Sequence, residues 1–259
     1  KNCLYRKMES FTWGRCERPM KKAIKAVLFD LDNTLYDEQE YIFGAFKDIS
    51  EFLSDKFPLR RDNFYDTLLS EFKKKGSLYP YLFDDALREL GLYDKQLVHK
   101  VVAIFHNSNP ELKLYDGAED ILLELKKQYA LALITNGNVE MQKRKVRLLS
   151  ISDMFQEIVY AQIHGKEEKP SILPYKDALR GLNMEPMDAI YVGDNPYTDF
   201  IGAKELGIIT VRLLRGEFAE VALSEECKAD YTIDQLSELF QVLHLIAKGE
   251  IPAQKRRSP

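Results

Sequence analysis

Ten consecutive residues, Ala26-Val27-Leu28-Phe29-Asp30-Leu31-Asp32-Asn33-Thr34-Leu35, constrain this chain more than any other stretch, because an apolar run breaks off at two carboxylates. Val27, Leu28 and Phe29 favour a strand, and an uninterrupted apolar run suits one covered on both faces in a parallel sheet. Ligands of open parallel sheets bind beyond the carboxyl ends of the strands, so the chemistry is expected at this tip. Asp30 and Asp32 are two residues apart. On extended backbone both would point to one side, and like charges so close imply a divalent cation. The plainer alternative is that the two aspartates merely end a strand and open a turn with Asn33, and the rest of the chain has to decide between them.

The sequence has 259 residues, enough for one large domain or a domain carrying an insertion, and 45% hydrophobic with 30% charged residues is ordinary globular composition. Lysine and arginine number 37 against 41 acidic residues, a formal charge of -4 with no long basic stripe. Neither a nucleic-acid partner nor a membrane partner is expected from that balance. No apolar run approaches the roughly 18 residues that span a bilayer, and the first residues lack a signal-peptide core, so the expected location is cytoplasmic. Cys3, Cys16 and Cys227 show no metal-ligand spacing, and the four histidines are scattered.

Residues 1–20 show no sustained period and read as an extension outside the fold. From Asp37 the pattern turns helical, with Ile42, Phe46, Ile49 and Leu53 recurring every three or four residues. Three further helices follow, around residues 64–72, 82–90 and 97–105, so residues 37–114 form an all-helical block. Helix and strand then alternate, with strands expected at 131–134, 158–161, 189–192, 208–213 and 230–233 and helices between them, the last at 235–247. The expected fold is α/β: a doubly wound parallel sheet, built from residues 21–36 and 115–247, with the helical block inserted after the first strand. Residues 248–259 form a basic tail.

Four polar clusters follow features of that one sheet: Asp30 and Asp32, Thr135 and Asn136, Lys169, then Asp194 and Asp199. Each alone has an ordinary reading as a cap, a solvated loop charge or a turn. Together they supply what phosphoryl transfer needs: a carboxylate nucleophile, a second carboxylate as acid and base, donors and a lysine for phosphate oxygens, and carboxylates for Mg²⁺.

In this order Phe-Asp-Leu-Asp-Asn-Thr-Leu, Thr-Asn-Gly, Lys-Pro and Val-Gly-Asp-Asn-Pro-Tyr-Thr-Asp resemble the four motifs of the haloacid dehalogenase superfamily, over residues 21–247. The resemblance implies a Rossmann-like core with a helical cap at residues 37–114. It implies Asp30 as nucleophile, Asp32 as general acid and then base, and Thr135, Asn136 and Lys169 as phosphate binders. Mg²⁺ would be held by the Asp30 carboxylate, the Asp32 backbone carbonyl and Asp194, with Asp199 behind them orienting Lys169 or a metal-bound water. The implied activity is hydrolysis of a small phosphomonoester, such as a sugar phosphate, a phosphoglycolate-like acid or a nucleoside monophosphate, by a monomer or homodimer. A phosphosugar mutase is the alternative, since mutases keep both aspartates. A 2-haloacid dehalogenase is disfavoured because halide departure needs no proton from Asp32, and a non-catalytic binding module because every catalytic position is occupied.

Overall fold

The computed structural model describes residues 23–164 and 168–249. The extension at residues 1–20 and the basic tail beyond residue 249 lie outside the described residues. Six strands, β1 (Ala26–Phe29), β2 (Ala130–Thr135), β3 (Glu157–Tyr160), β4 (Ala189–Gly193), β5 (Ile209–Leu213) and β6 (Tyr231–Ile233), form one sheet in the order β3-β2-β1-β4-β5-β6. All its pairings are parallel. The chain builds outward from β1 to β3 and then crosses back to lay β4 on the other side of β1. Strand order therefore reverses between β1 and β4, which opens a crevice at their carboxyl ends.

The apolar runs are explained by burial on both faces. Val27 and Phe29 of β1 join one core with Leu131, Leu133, Ile190 and Val192. Ala26 and Leu28 point the other way, into a core with Ala132, Ile134, Ala189 and Tyr191. Alternate residues of each strand thus serve different layers, as the two-residue period of a strand requires. Helices α5 (Ala118–Lys126), α6 (Val139–Leu148), α7 (Leu173–Leu182), α8 (Ile201–Glu205) and α9 (Leu239–Lys248) follow or link the later strands.

Residues between β1 and β2 hold α1 (Glu38–Lys56), α2 (Arg61–Lys75), α3 (Leu82–Glu89) and α4 (Lys95–Asn107). Asp37 caps α1 by accepting from the Gln39 backbone N–H at 2.9 Å, and Asp94 caps α4 through Leu97 at the same distance. Gly91, at φ 70°, lets α3 stop in the left-handed turn expected of it. The α1 stripe of Ile42, Phe46, Ile49 and Leu53 packs with Phe64, Leu68, Leu87 and Val101 into a third core. Phe46 is fully buried among the rings of Phe43, Phe72 and Phe83. Truncation by Phe46→Ala is expected to cost about 3–5 kcal/mol of stability in urea denaturation, and a loss below about 1 kcal/mol would show that this core does not hold the helices together.

The chain leaves and re-enters the sheet side by side: Tyr36 bridges Leu114, and the Tyr115 N–H donates to the Leu35 carbonyl at 2.9 Å. Gly44, inside α1, makes room for the return, since a Cβ there would lie 2.2 Å from Pro110 Cβ. Two of these helices, α8 and α9, begin late. Residues 198–200 are diverted from α8 because the Thr198 and Asp199 N–H groups both donate to the Asn195 carbonyl, closing a turn. The last helix opens with a 3₁₀ turn at Leu236–Glu238, where Gln235 and Glu238 satisfy one another's backbone in a capping box.

Candidate active site

The crevice beyond β1, β2 and β4 collects the residues singled out by the sequence. Asp30, directly after β1, is fixed by its own backbone N–H, which donates to the Val192 carbonyl at 2.9 Å. Thr135 ends β2, Asp194 directly follows β4, and Lys169 reaches in from the loop before α7. All four side chains are buried.

Lys169 is the hub. Its ammonium donates to Asp30 Oδ1 at 2.5 Å, the Tyr191 hydroxyl at 2.7 Å and Asp199 Oδ1 at 2.8 Å, which uses all three of its protons. Its backbone is held as firmly: the Asn136 amide donates to the Lys169 carbonyl at 2.9 Å and accepts from the Lys169 N–H at 3.0 Å. Asn136 was expected to bind phosphate, but its side chain is spent on this latch, which leaves only its backbone N–H for an anion. Burial favours neutral lysine, yet Asp199 and Asp30 outweigh it and hold the ammonium above its ordinary pKa. Asp199 is itself anchored through Oδ2 by the Asn195 N–H at 2.9 Å. It tucks beneath the β4 tip because residue 193 is glycine, where a Cβ would sit 2.3 Å from Asp199 Oδ2.

The side chains of the two aspartates of the first motif face different lysines. The strand ends at Phe29, and the backbone then turns so that Asp32 faces a second lysine. Lys145 Nζ donates to Asp32 Oδ1 at 2.6 Å, the Tyr36 hydroxyl to the same oxygen at 2.5 Å, and Gln142 Nε2 to Oδ2 at 2.7 Å. Burial works against ionisation of Asp32, but Lys145 and these donors prevail and lower its pKa. Asp32 is thus held as a carboxylate, the form able to accept a proton. Gln142 also donates to the Thr135 hydroxyl at 2.5 Å, so it ties the β2 tip to Asp32.

Sequence reasoning missed Lys145, Gln142, Tyr36 and Tyr191. Gln142 and Lys145 lay inside what read simply as a cationic helix, yet they fall on the face of α6 that buries Val146. Polar residues in the apolar register were the available signal.

A cluster of three carboxylates is also present. Asp30, Asp194 and Asp199 can bring one carboxylate oxygen each within 4.8 Å of one another. Both oxygens of Asp199 already accept from protein donors, whereas Asp194 Oδ2 is buried with no hydrogen-bond partner. Burial, then the Asp199 and Asp30 charges, push Asp194 well above the usual carboxylate range. Burial likewise pushes Asp30 up to about 7, against the pull of Lys169. An all-oxygen set with an orphaned oxygen and two carboxylates strained toward protonation fits a hard divalent cation such as Mg²⁺, whose charge would reverse both shifts.

A family model described as haloacid dehalogenase-like hydrolase matches residues 27–213. The chain belongs to that family. Among haloacid dehalogenase-like relatives, a glyceraldehyde 3-phosphate phosphatase of Pyrococcus furiosus is 37% identical over 227 residues, covering 86% of this chain and 94% of that protein. A 2-haloacid dehalogenase of Pseudomonas syringae superposes with a TM-score of 0.60 at 26% identity, over 85% of this chain and 98% of the other. The hydrolase YfnB of Bacillus subtilis, bound to magnesium and showing interdomain movement, superposes with a TM-score of 0.65 at 22% identity, over 86% of this chain and 99% of the other. Among the described residues, no helix is long and apolar enough to cross a membrane.

Proposed function

We propose that this haloacid dehalogenase-like hydrolase cleaves a small phosphomonoester, of about triose-phosphate size, with Mg²⁺ and through a phosphoryl group carried on Asp30. The enzyme is a phosphoric monoester hydrolase. The observation that carries the finer reading is the pairing of Asp30 with Lys169 at 2.5 Å beside the unpartnered Asp194 Oδ2. It supports the reading because a carboxylate, a fixed positive charge and an oxygen without a partner meet at the adjoining tips of β1 and β4.

Asp30, Asp194 and the Asp32 backbone carbonyl would hold Mg²⁺, whose charge would offset the repulsion between the phosphate dianion and the attacking carboxylate. Lys169 contributes a second positive charge and keeps one Asp30 oxygen in place. Thr135 and the backbone N–H groups leading into α6 favour the same anion. Asp30 attacks phosphorus, the bond to the leaving oxygen breaks, and that oxygen takes a proton from Asp32, which must bind one as substrate enters. Asp32 returns to the carboxylate that Lys145 stabilises and then accepts a proton from the water that hydrolyses the Asp30 phosphoryl group. This elaborate support of Asp32 favours a phosphatase over a dehalogenase. Helices α1–α4 are read as a cap that parts to admit substrate and closes to exclude water, a motion of the kind seen between the domains of YfnB.

The test is phosphate release from a panel of phosphorylated metabolites after exhaustive chelation, with and without added Mg²⁺. Activity is expected to vanish on chelation and return with Mg²⁺, while full activity without it would defeat the proposal. The shifted carboxylates add a second expectation. Asp30 rises from an ordinary value of 3.8 to about 7 on folding, so the metal-free folded state binds more protons than the unfolded chain. Its contribution to stability is therefore present below about pH 4 and lost as pH rises through about 7. Mg²⁺ competes with those protons, so the rise in Tm it produces should be larger at about pH 8 than at about pH 5.5. Equal rises at both pH values would mean that the ion binds elsewhere.

A further inference from the structure

We propose that Gln142 is a positioning residue that couples the phosphate end of the site to its acid–base end: one amide presents the Thr135 hydroxyl proton to the phosphate and leaves Asp32 Oδ2 as the oxygen that exchanges a proton with the leaving group. The proposal rests on the phosphatase reading and deepens it. Gln142 lies near the start of α6, where its N–H donates to the Asn138 carbonyl at 2.9 Å and its side chain is buried. Its Nε2 meets three acceptors at once: Thr135 Oγ1 at 2.5 Å, Asp32 Oδ2 at 2.7 Å and the Asn136 carbonyl at 2.8 Å. An amide nitrogen carries two protons. They are therefore shared, and a gain at one acceptor is a loss at another.

The neighbours of this amide fix its orientation. Turned over, it would set Oε1 against a carboxylate oxygen and a backbone carbonyl, neither of which has a proton to give. In the orientation it holds, Oε1 is buried with no hydrogen-bond partner among the described residues, a cost that an apolar residue in this buried register would not carry. Because Nε2 can only donate, Thr135 Oγ1 accepts from it and keeps its own proton for another partner. Among the described residues that proton finds the Asn136 carbonyl at 3.4 Å, an oxygen that Nε2 already approaches to 2.8 Å. So long a contact leaves the proton available to a phosphate oxygen at the β2 tip. A hydroxyl that donates to a dianion is the stronger acceptor, so phosphate draws the shared amide protons toward Thr135 and loosens their hold on Asp32 Oδ2.

Asp32 carries the other end of the coupling. Its Oδ1 accepts from Lys145 Nζ at 2.6 Å and from the Tyr36 hydroxyl at 2.5 Å, which fills both lone pairs of that oxygen. Oδ2 accepts from Gln142 alone among the described residues, so one lone pair stays open on the oxygen that shares its donor with Thr135. Proton exchange therefore belongs to Oδ2. The proton leaves with the departing oxygen, one from the attacking water replaces it, and Asp32 ends the cycle as it began. Gln142 acts only through Asp32 and Thr135, without touching phosphorus or the leaving group.

The experiment measures kcat/KM for glycerol 3-phosphate and for p-nitrophenyl phosphate, and inhibition by inorganic phosphate, on the unmodified enzyme and on the Gln142→Met and Thr135→Val variants, with Thr135→Ser as the conservative control. An alkoxide needs a proton to depart and nitrophenolate hardly does, so the ratio of the two kcat/KM values reports how well Asp32 is placed. Gln142→Met keeps the length of the side chain and loses the amide. It is expected to lower the ratio of glycerol 3-phosphate to p-nitrophenyl phosphate by roughly tenfold and to weaken inhibition by phosphate severalfold. Valine suits a strand, so Thr135→Val folds whatever becomes of the Gln142 variant. With the hydroxyl gone the amide closes on Asp32 Oδ2, so this variant should move the ratio the same way although Thr135 does not touch the leaving group, and Thr135→Ser should restore it. A Gln142 that only filled space would lower both kcat/KM values by one factor. A ratio unmoved in a folded Gln142→Met variant, or in Thr135→Val, overturns the coupling while leaving the phosphatase reading intact. No phosphate release from either ester by the unmodified enzyme overturns both.

Discussion

Asp30→Asn is expected to abolish turnover, by roughly 10⁴-fold or more, because an amide is a poor nucleophile and no other carboxylate takes its place at the β1 tip. Asp30 is held by its backbone N–H to Val192 and by Lys169, and an asparagine oxygen still accepts from that ammonium. The variant should therefore fold, with a cooperative thermal transition close to that of the unmodified protein. Phosphate release measured over hours in the presence of Mg²⁺ checks the loss. Residual activity within about tenfold of the original would show that phosphorus is attacked by something other than Asp30, since a displaced nucleophile cannot cost so little.

Asp32→Asn should separate the two halves of the reaction. Its amide oxygen can still accept from Lys145 and Tyr36, so the geometry of the site is largely kept. What is lost is a group able to give and take a proton, worth ~10²–10⁴-fold in each step that needs it. An aryl phosphate has a leaving group that departs without much protonation, so its attack on Asp30 should suffer less than the later hydrolysis. The phosphorylated enzyme then accumulates, and acid quenching followed by intact mass should find one added phosphoryl group, with peptide mapping placing it on Asp30. Label on any other residue would overturn the mechanism. Transfer of phosphate to a second hydroxyl of a sugar substrate would favour the mutase.

Asp30, Thr135 and Asp194 were legible because each ends or follows an apolar run, and a polar residue at the tip of a buried parallel strand has few places to go. Lys169 was legible only through the order of the motifs, since a loop lysine carries no positional signal of its own. Lys145 escaped because Lys143, Arg144 and Arg147 surround it and composition hides a single inward cation, although its spacing from Val146 and Leu149 puts it on the buried face. Tyr191 escaped for the opposite reason. In mid-strand it looks like core, and nothing in sequence shows that its hydroxyl extends past the sheet to Lys169. Asn136 was noticed, but a polar residue after a strand does not announce that its side chain will latch the backbone of Lys169.

The segment joining β2 to α6 is only three residues, Asn136, Gly137 and Asn138, with the Asn138 side chain accepting from Met141 to start the helix. Gln142 and Lys145 meet Asp32 only because that segment sets the angle at which the helix begins. One residue more or fewer between the Asn138 cap and Gln142 would turn the rest of α6 by about 100° and slide it by about 1.5 Å relative to that cap, carrying both side chains off their target together. Point changes at exposed positions of α6 alter neither quantity. This short junction is therefore constrained in length as well as in residue type, and an insertion there would pull Gln142 and Lys145 away from Asp32 without replacing either of them.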